Sequence, residues 1–593
     1  MFQGLSVLEY RGYDSVGIAA ETADGVKVLK CKGRIGDLER KESKHPLKGV
    51  TTAIGHTRWA THGGPFDHNA HPHRAGKVTL VHNGIIENYK DLKERLLAEG
   101  VTFLSETDTE VAAAVLNRAF EEKGEPIAAI VCAVRQLVGS YAFGILFDGY
   151  PEEIFAVRQG SPLILAKGKD GFYLASDMTA LLPFTKEYCC LEEGQIARLS
   201  KKEATLFLPG GEAMLPAWRV TDMTAESAQK EGYAHFMEKE IHEQPEMIVK
   251  SVKTRVKDGL PSFLADDVDA DFLRAVRAVQ IVGCGSAYHA GLVGARWLEE
   301  VAGVPTTVHI ASEYRYYPPL AGEGTLVVLL SQSGETADTL AALRYAKSKR
   351  LPTLAIVNAV ETSIAREADR RVYTYAGPEI AVATTKGYCT QVSVLFTLAM
   401  ALGLEKGNIT PAVAAEEMRA LTCDAPRAVE RMLENLEQFA RISNKIYEKE
   451  HAFYIGRGLD YALSLEGALK LKEISYIHCE AYAAGELKHG TISLVEEDTP
   501  VIAVSTDRAL WEKTESNIRE VRSRGAYVIL ICREDTPNAD SSADEVIRLP
   551  AASDAGLLFG ALAAVQEIAY ETAKRRGCDI DRPRNLAKSV TVE

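Results

Sequence analysis

The feature that most constrains the fold is a pattern that occurs twice in the second half of the chain. An apolar strand, a Gly-x-Gly turn and an amphipathic helix follow one another in VQIVGCGSAYHAGLVGARWLEE and again in AFYIGRGLDYALSLEGALKLKE. A strand, a hydroxyl-rich turn and a helix follow in TLVVLLSQSGETADTLAALRYA and in PVIAVSTDRALWEKTESNIREV. Such alternation is typical of doubly wound parallel sheets. It predicts two related α/β domains, at residues 248–415 and 425–578, with strands at Val279–Gly283, Thr306–Ile310, Thr325–Leu330, Thr353–Val357, Ala452–Ile455, Pro500–Val504, Tyr527–Cys532 and Val546–Leu549.

The first third of the chain has a different sequence pattern, with short β-rich runs separated by turns that contain Gly and Asp. It predicts an α+β domain of mostly antiparallel strands over residues 1–215. Residues 216–247 are polar and indicate a connector with some helix, and residues 579–593 form a tail. The predicted strands are Val16–Glu21, Val26–Cys31, Val78–His82, Tyr141–Phe147 and Ala204–Leu208, and the predicted helices are Tyr89–Glu99, Asp108–Lys123 and Met237–Gln244.

The overall composition narrows the function classes. Lys plus Arg number 68 and Asp plus Glu number 82, so the net charge of −14 argues against a nucleic-acid or anionic-membrane partner. The 10 cysteines form no CxxC pair and no zinc-ligand spacing, which favours free thiols in a reducing compartment. The first residues lack the pattern of a signal peptide, and no apolar run reaches membrane-spanning length. We therefore expect a cytoplasmic protein.

The turn LSQSGET is the strongest candidate for a ligand site. Ser331, Ser333 and Thr336 follow a buried strand and open a helix, where hydroxyl and backbone N–H donors favour an anion. No Walker-type lysine is present, so the pattern indicates a small phosphate monoester rather than a nucleotide. The alternative is an ordinary capped helix. The turn at Gly283 is weak evidence for a dinucleotide site, and Thr384 could add a donor to the same phosphate.

Four further residues are candidates for acid–base or covalent chemistry. Lys470 and Glu473 share a helix face, and their apolar flanks indicate that some of these charges are buried rather than in a surface ion pair. His489 precedes a glycine turn and could be an acid or base, although a lone His is more often structural. Lys588 lies in a tail that is either disordered or docked into a cleft, where its amine could form a Schiff base with a sugar ketone.

In the first third, two motifs lie at or just after strands: GHTRWATHG and VHNGIIEN. Arg58 can bind a carboxylate through two hydrogen bonds. Asn83 and the Gly84 N–H could form an oxyanion hole, and Asp108 could hold an ammonium group. Together they would fit an α-amino acid, whereas each alone is equally well explained as loop structure.

These motifs resemble, in the same order and over the whole chain, those of the glucosamine-6-phosphate synthase family, the glutamine–fructose-6-phosphate aminotransferases (isomerising). The segments that carry the resemblance are EYRGYDS, GHTRWATHG, VHNGIIEN, SETDTE, LSQSGETADT, LEGALKLKEISYIHCEAYAAGELKHG and RNLAKSVTVE. The resemblance implies a glutaminase domain of the N-terminal-nucleophile-hydrolase fold (αββα) followed by two SIS domains. It implies conversion of fructose 6-phosphate and glutamine to glucosamine 6-phosphate and glutamate, no metal or organic cofactor, and at least a homodimer.

The resemblance also implies roles for individual residues. Lys588 would form the Schiff base, Glu473 would move a proton between C1 and C2 with support from Lys470, and His489 would assist ring opening in the neighbouring subunit's site. Trp59 would gate an ammonia channel. Glutamine and its oxyanion would be bound by Arg58, His62, Asn83, Gly84 and Asp108. The sugar phosphate would be held by Ser286, Ser331, Gln332, Ser333, Thr336 and Thr384.

The sequence departs from the family pattern at two places. Family members begin, after removal of Met, with Cys-Gly-Ile-Val-Gly, and that cysteine is the nucleophile whose α-amine is the base. This sequence opens with Met1-Phe2-Gln3-Gly4, without that strand and nucleophile. Either translation starts further upstream, which intact glutamine-binding motifs favour, or the protein is truncated. The second departure is Ala287, where the family has Ser, so one hydroxyl is lost and Ser286 would compensate.

Three functions remain open on the sequence alone. The first is the full glutamine-dependent synthase. The second is an ammonia-dependent synthase or a hexose-phosphate isomerase only. The third is a non-catalytic SIS sugar-phosphate sensor, against which the retention of Lys588, Glu473 and His489 argues, because a sensor needs only the phosphate ligands.

Overall fold

The computed structural model describes residues 1–9, 12, 14–60, 62–221 and 229–590. Tyr10, Arg11 and Tyr13 of the EYRGYDS motif, Thr61 of the GHTRWATHG motif, residues 222–228 of the predicted connector and residues 591–593 of the tail therefore lie outside the described residues. The chain divides into two compact units, whose main segments are Met1–Gln229 and Lys230–Lys588.

The first unit consists of antiparallel strands with helices on its outer faces. Its helices are α1 (Phe2–Leu8), α2 (Ile35–Lys44), α3 (Tyr89–Ala98), α4 (Asp108–Lys123) and α5 (Pro126–Val134). Its strands are β1 (Ser15–Thr22), β2 (Gly25–Lys32), β3 (Thr52–Arg58), β4 (His73–Ala75), β5 (Val78–Ile86), β6 (Gly139–Phe147), β7 (Glu153–Gln159), β8 (Ile164–Lys167), β9 (Phe172–Ala175), β10 (Glu187–Cys190), β11 (Ile196–Ser200), β12 (Ala204–Phe207), β13 (Ala213–Met214) and β14 (Arg219–Val220).

Four layers follow from the alternation of side chains along the strands. On β1, Val16 and Ile18 pack with Leu38 of α2, whereas Ala19 packs with Ile54 and with Leu146 of β6 on the opposite face. The sheet β2-β1-β3 and the four-stranded sheet β14-β10-β8-β9 therefore form one inner layer, and β13-β12-β11-β7-β6-β5-β4 forms the other. Helices α3, α4 and α5 cover the outer face of the larger sheet. This is the αββα arrangement predicted for the unit.

The second unit is built from parallel strands and long helices. Its helices are α6 (Phe236–His242), α7 (Gln244–Lys253), α8 (Ala270–Ala275), α9 (Ser286–Glu300), α10 (Ala311–Tyr314), α11 (Ala337–Ser348), α12 (Ser363–Glu367), α13 (Lys386–Glu405), α14 (Pro411–Arg419), α15 (Ala425–Leu433), α16 (Leu436–Ile446), α17 (Leu459–Ser475), α18 (Trp511–Arg522), α19 (Ala539–Ser542) and α20 (Asp554–Arg575). Its strands are β15 (Val256–Lys257), β16 (Leu260–Pro261), β17 (Ala278–Gly283), β18 (Thr306–Ile310), β19 (Thr325–Ser331), β20 (Thr353–Val357), β21 (Arg370–Tyr373), β22 (His451–Gly456), β23 (His478–Ala483), β24 (Pro500–Ser505), β25 (Tyr527–Arg533) and β26 (Glu545–Leu549).

Two parallel sheets of the same topology form the second unit. Their strand orders are β18-β17-β19-β20-β21 and β23-β22-β24-β25-β26. In each sheet the chain leaves its first strand towards one edge and its third strand towards the other. A crevice therefore opens at the carboxyl ends of β17 and β19, and an equivalent one at β22 and β24. One apolar core runs through both domains, and separate cores fill the remaining face of each sheet.

The eight strands predicted in this half are all present, and most extend by a residue at one end or both. Four strands were missed. Two of them, β15 and β16, form a separate two-stranded sheet, and the other two, β21 and β23, are edge strands of the parallel sheets. Adjacent Arg370 and Arg371, and His478 with Glu480, interrupt the apolar runs that identified the others. Edge strands tolerate such charges because one side of the strand faces away from the sheet.

The predicted connector differs from the structure in its second half. Helices α6 and α7 belong to the second unit, and Lys239 and Glu240 of α6 are only 2% exposed. Their polarity suggested a connector, but Lys239 pairs with Glu231 at 3.1 Å and Glu243 at 3.6 Å. Helix α13 is the one described helix that is long and apolar enough to cross a membrane, and 94% of that window is buried inside the structure. It is a core helix of the first α/β domain.

Candidate active site

The predicted phosphate turn lines the crevice of the first α/β domain. The Ser331 Oγ accepts a hydrogen bond from the Gly334 N–H at 3.0 Å and lies 3.0 Å from the Thr336 Oγ1. Gly334 has a φ of +65°, and a Cβ there would lie 2.0 Å from the Thr362 Oγ1. Only glycine fits this position. The turn therefore presents hydroxyl groups on a tightly fixed backbone.

The tail places the side chain of Lys588 in a buried position on the first α/β domain. Its Nζ donates to the Ala381 carbonyl at 2.8 Å and forms an ion pair with Glu379, whose side chain is fully buried. The Thr384 hydroxyl donates to Glu379 at 2.5 Å. Burial raises the pKa of Glu379, but the Lys588 ammonium and these hydrogen bonds outweigh it and hold the pKa at about 2. Glu379 is therefore ionised and holds the lysine by charge.

The Lys588–Glu379 ion pair lies beside the phosphate turn. The two regions meet at Gly387, the second residue of α13. A Cβ on Gly387 would lie 2.7 Å from the Thr384 Oγ1, 2.9 Å from the Glu379 Oε2 and 3.0 Å from the Gln332 Cγ. A ligand whose phosphate sits on the turn would therefore have the Lys588 amine within reach of its carbon chain.

The second α/β domain contributes a buried charge cluster from α17. The Lys470 Nζ lies 2.5 Å from the Glu473 Oε2 and 3.6 Å from the Glu466 Oε1. Burial lowers the pKa of Lys470, but Glu473 and Glu466 outweigh it and raise the pKa above its ordinary value. The lysine is 1% exposed and stays charged. It also lies close enough to interact electrostatically with Glu379.

Glu466 joins the two α/β domains. It is fully buried and accepts a hydrogen bond from the Ser286 hydroxyl at 2.8 Å, while the His289 Nδ1 lies 2.9 Å from its other oxygen. Ser286 and His289 belong to α9, which follows the Gly-x-Gly turn. The Ser286 hydroxyl therefore donates to a carboxylate in this structure, and its contact with the sugar phosphate stays a prediction. Its proton is committed to a carboxylate, as is that of Thr384.

His489 is not assembled with the other catalytic candidates. It is exposed on a short 3₁₀ turn, Glu486–His489. Among the described residues, the hydrogen bonds and ion pairs join it neither to Lys588 nor to Glu473. Within one chain, the site therefore contains the lysine, the Lys470–Glu473 pair and the phosphate turn.

The crevice of the second α/β domain is occupied by its own side chain. The Asp460 carboxylate, 2% exposed, accepts from the Thr506 N–H at 2.9 Å and from the Thr506 hydroxyl at 2.6 Å. Burial raises the pKa of Asp460 to about 6 despite these hydrogen bonds. A carboxylate therefore satisfies the donors that an anionic ligand would otherwise use.

A second cluster of predicted site residues lies in the first unit. Asp108 begins α4, and one of its oxygens accepts from the Ile86 N–H at 2.8 Å, while the other lies 4.0 Å from the His62 Nδ1. Asn83 and Gly84 lie on β5 before that amide. A Cβ on Gly84 would lie 1.9 Å from the Ser140 carbonyl, so the position requires glycine. Asp108, His62 and the β5 backbone thus form one polar cluster.

Arg58, predicted to bind a carboxylate, is hydrogen-bonded to the loop that follows β3. Its buried guanidinium donates to the backbone carbonyls of His62, Gly63 and Gly64. These bonds fix the loop that carries His62, so part of its donor set is used internally. Trp59 follows β3 and is partly exposed. Asp14, which sequence analysis passed over, accepts from the Ala60 N–H at 2.9 Å and braces the same loop.

Four histidines lie next to this cluster: His71, His73 and His82 are buried, and His56 is partly buried. Burial lowers the pKa of all four, that of His56 to about 3. They are neutral side chains of the interior. Among the described residues, no group of three or more His, Cys, Asp or Glu is arranged to hold a metal ion.

The residues missed by sequence analysis are interior carboxylates. Glu379, Glu466 and Asp460 each hold a functional element through hydrogen bonds, and each stands in an apolar stretch. The only sequence signal for each was an isolated acidic residue inside an apolar run. Such a signal does not identify the residue's hydrogen-bond partner.

Comparison with known proteins agrees with this architecture. A glutamine amidotransferase domain family matches residues 41–207, and the SIS domain family matches residues 272–401 and 445–569. The fold and the sites thus define an amidotransferase domain joined to a pair of SIS domains. Glutamine–fructose-6-phosphate aminotransferases (isomerizing) of Clostridium tetani and Symbiobacterium thermophilum are 45% and 46% identical, over 100% of this chain and 97% of each relative.

A solved structure agrees with these relatives. The C-terminal domain of glucosamine-fructose-6-phosphate aminotransferase from Francisella tularensis is 37% identical, with a TM-score of 0.57, over 60% of this chain and 99% of that chain. The chain belongs to the glutamine–fructose-6-phosphate aminotransferase (isomerizing) family.

Proposed function

We propose that this protein converts fructose 6-phosphate and glutamine to glucosamine 6-phosphate and glutamate. The observation that carries the proposal is the buried Lys588–Glu379 ion pair beside the hydroxyl turn at Ser331. A sugar phosphate bound by the turn and an amine that reaches its carbonyl are the two requirements of the reaction. The relatives in the family are named for the same two substrates, which supports the proposal.

The phosphate would be bound by the hydroxyl turn, and Lys588 would act on the ketone. Its amine adds to C2, and water leaves as the C=N bond forms. Glu379 stabilises the positive charge on that nitrogen. Ammonia then displaces the lysine from C2 and restores the free amine. The phosphate ligands in this proposal are Ser331, Gln332, Ser333 and Thr336.

The isomerisation would use the second SIS domain. Glu473 removes a proton from C1, which converts the C2 imine to an enolamine, and the proton is then delivered to C2 while the C1 hydroxyl becomes the aldehyde. The charged Lys470, 2.5 Å from Glu473, orients the carboxylate and stabilises negative charge that develops next to it.

Glutamine would bind in the first unit, at Arg58, His62, Asn83, Gly84 and Asp108, with Trp59 gating the passage of ammonia.

The domain limits of this proposal are 1–215 for the glutaminase, 216–247 for the connector, 248–415 and 425–578 for the SIS domains and 579–593 for the tail. A homodimer is proposed because the exposed His489 would serve the partner's site. The free cysteine thiols of the protein support a cytoplasmic location.

The test compares nitrogen donors and variants. The purified protein is incubated with fructose 6-phosphate and either ammonium or glutamine, and glucosamine 6-phosphate is measured. Cyanoborohydride is added in parallel, and the reduced sugar adduct is located by mass spectrometry. We expect product with ammonium, an adduct on Lys588, and neither in Lys588→Met. Lys472→Met, at an exposed lysine of α17, is the control. Absence of both product and adduct in the unaltered protein would refute the proposal.

The glutamine arm of this test separates the two halves of the proposal. Product with glutamine supports the whole reaction. Product with ammonium alone confines the proposal to the synthase site in the second unit.

A further inference from the structure

Helix α6 carries a buried carboxyl group that the proposed mechanism does not use. Glu240 is 2% exposed, and its Oε1 accepts hydrogen bonds from the backbone N–H groups of Ile380 and Ala381. Its Oε2 is also buried and has no hydrogen-bond partner among the described residues. A buried polar atom without a partner is costly, so an apolar side chain would be favoured here unless the amides needed an acceptor.

The backbone that Glu240 holds is the backbone that receives Lys588. Ala381 gives its N–H to Glu240 and its carbonyl to the Lys588 Nζ. Glu379, one residue before Ile380, forms the ion pair with the same lysine. Glu240 therefore fixes both acceptors of the lysine through a single short segment.

The same helix also holds the start of the tail. The Asp581 carboxylate accepts from the N–H groups of Phe236 and Met237, each at 3.0 Å. The backbone carbonyl of Asp581 accepts from the Val382 N–H at 3.0 Å. Asp581 lies seven residues before Lys588 in the chain. One short helix therefore binds the segment that receives the lysine and the segment that delivers it.

We propose that α6 is a positioning element for the reactive lysine. Glu240 fixes the backbone at residues 380–381, Asp581 fixes the tail to the same helix, and together they set the place of the Lys588 amine relative to the phosphate turn. This inference rests on the proposed function, in which Lys588 adds to the sugar ketone. Neither Glu240 nor Asp581 needs to touch the substrate.

The charge state of Glu240 fits a holding role rather than a role as a counter-ion. Burial raises the pKa of Glu240 to about 8, with Glu379 adding to the rise and Lys588 and Lys386 opposing it. The neutral acid leaves the charge balance of the Lys588–Glu379 pair undisturbed and still offers an oxygen to the amides of residues 380 and 381. An amide side chain of the same shape offers that oxygen as well.

The experiment uses the full chain with ammonium and fructose 6-phosphate. The variants are Glu240→Ala, Glu240→Gln, Asp581→Ala and Asp581→Asn, with Glu246→Gln, an exposed acid on α7, as the control. Three quantities are measured for each: kcat, the rate of cyanoborohydride trapping on Lys588, and the Kd of glucitol 6-phosphate. This ligand carries the phosphate but lacks the ketone, so it reports the phosphate turn alone.

We expect the alanine variants to lose about 30- to 100-fold in kcat and in trapping rate, because a displacement of about 1 Å at a reacting group has effects of that size. The Kd of glucitol 6-phosphate should change by less than about 3-fold, since the alanine variants leave the phosphate turn intact. Glu240→Gln, which keeps an acceptor oxygen for both amides, should recover most of the activity, and Asp581→Asn, which keeps one of two acceptor oxygens, should recover part of it.

Wild-type kcat and trapping in folded Glu240→Ala and Asp581→Ala would overturn the inference. Glu240→Leu, which fills the space without an acceptor, replaces Glu240→Ala if the latter does not fold. If every variant without an acceptor unfolds while the Gln and Asn variants are active, the role is structural and the inference is wrong. Failure of the proposed function itself looks different, because the unaltered protein would then give no adduct on Lys588.

Discussion

The two SIS domains have the same strand order, yet their crevices are filled in opposite ways. In the first, the end of β19 and the turn after it present Ser331 and its neighbours, and the helix after β17 has Ala287 at its second position. In the second, strand registers place Ser505 and Thr506 at the equivalent turn, and Asp460 at the position of Ala287. The Asp460 carboxylate bonds to Thr506. The Asp460 side chain is therefore the difference between the two crevices. The first crevice is open to an anion, and the second already contains the carboxylate of Asp460.

The comparison teaches where a duplicated domain can lose a ligand without losing its fold. Both Gly-x-Gly turns keep the same backbone, with φ and ψ of +55° and −127° at Gly285 and +57° and −125° at Gly458. The scaffold is thus retained in both copies. The difference lies in a carboxylate that accepts the hydrogen bonds a phosphate would accept.

The largest expected effect tests which crevice binds the substrate. Ser331→Ala combined with Thr336→Val removes two donors to a charged group, at about 1.5–3 kcal/mol each, so the KM for fructose 6-phosphate should rise by about 100-fold or more. The matched variant, Ser505→Ala with Thr506→Val, should change the KM by less than about 2-fold, because the Thr506 hydroxyl serves Asp460 and both residues lie in the other SIS domain. Steady-state kinetics with ammonium measures both, and equal changes in the two variants would break the comparison.

The second prediction opens the filled crevice. Asp460→Ala leaves the Thr506 N–H and hydroxyl without their acceptor, which should lower the free energy of unfolding by about 2–4 kcal/mol. Denaturant unfolding with and without inorganic phosphate measures the effect. Phosphate should stabilise the variant more than the unaltered protein, since the released donors can then bind an anion. A variant with unchanged stability would show that the carboxylate does not hold the turn.

The third prediction uses the shared glycines. Gly285→Ala and Gly458→Ala place a Cβ on a backbone conformation that favours glycine, at a cost of about 1–3 kcal/mol each. No described heavy atom lies within 4 Å of the first Cβ, and the nearest to the second is Leu510 Cδ1 at 3.6 Å, so strain rather than a clash causes the loss. Thermal unfolding should show similar losses. Only Gly285→Ala should also raise the KM for fructose 6-phosphate.

The smallest effect concerns pH. The folded-state pKa of Asp460 is raised to about 6, so the unfolded chain releases this proton at lower pH and stability falls as pH rises towards 6. Between pH 5 and pH 6 this group should lower the free energy of unfolding by about 1 kcal/mol. Asp460→Asn removes the titration, so the difference in unfolding between variant and unaltered protein should change by that amount. A constant difference across this range would contradict the raised pKa.

Sequence patterns predicted the two sheets because their central strands are uninterrupted apolar runs. They also placed Lys470 and Glu473 on one helix face, since a spacing of three is local information. They did not predict Glu240 or Glu379 as holding groups. The partners of these acids are 140 and 209 residues away along the chain, and no local pattern encodes such a pairing. Polarity alone therefore assigned α6 to the connector.

Asp460 can be regarded as a ligand that is permanently tethered to its receptor. A tethered group competes at an effective concentration of millimolar or far higher when its geometry is fixed, without the entropic cost of capture. Free sugar phosphate at cellular concentrations has no such advantage, and it would have to displace a group that cannot diffuse away. A titration of this protein with glucitol 6-phosphate should therefore saturate at one molecule per chain, although the fold contains two crevices.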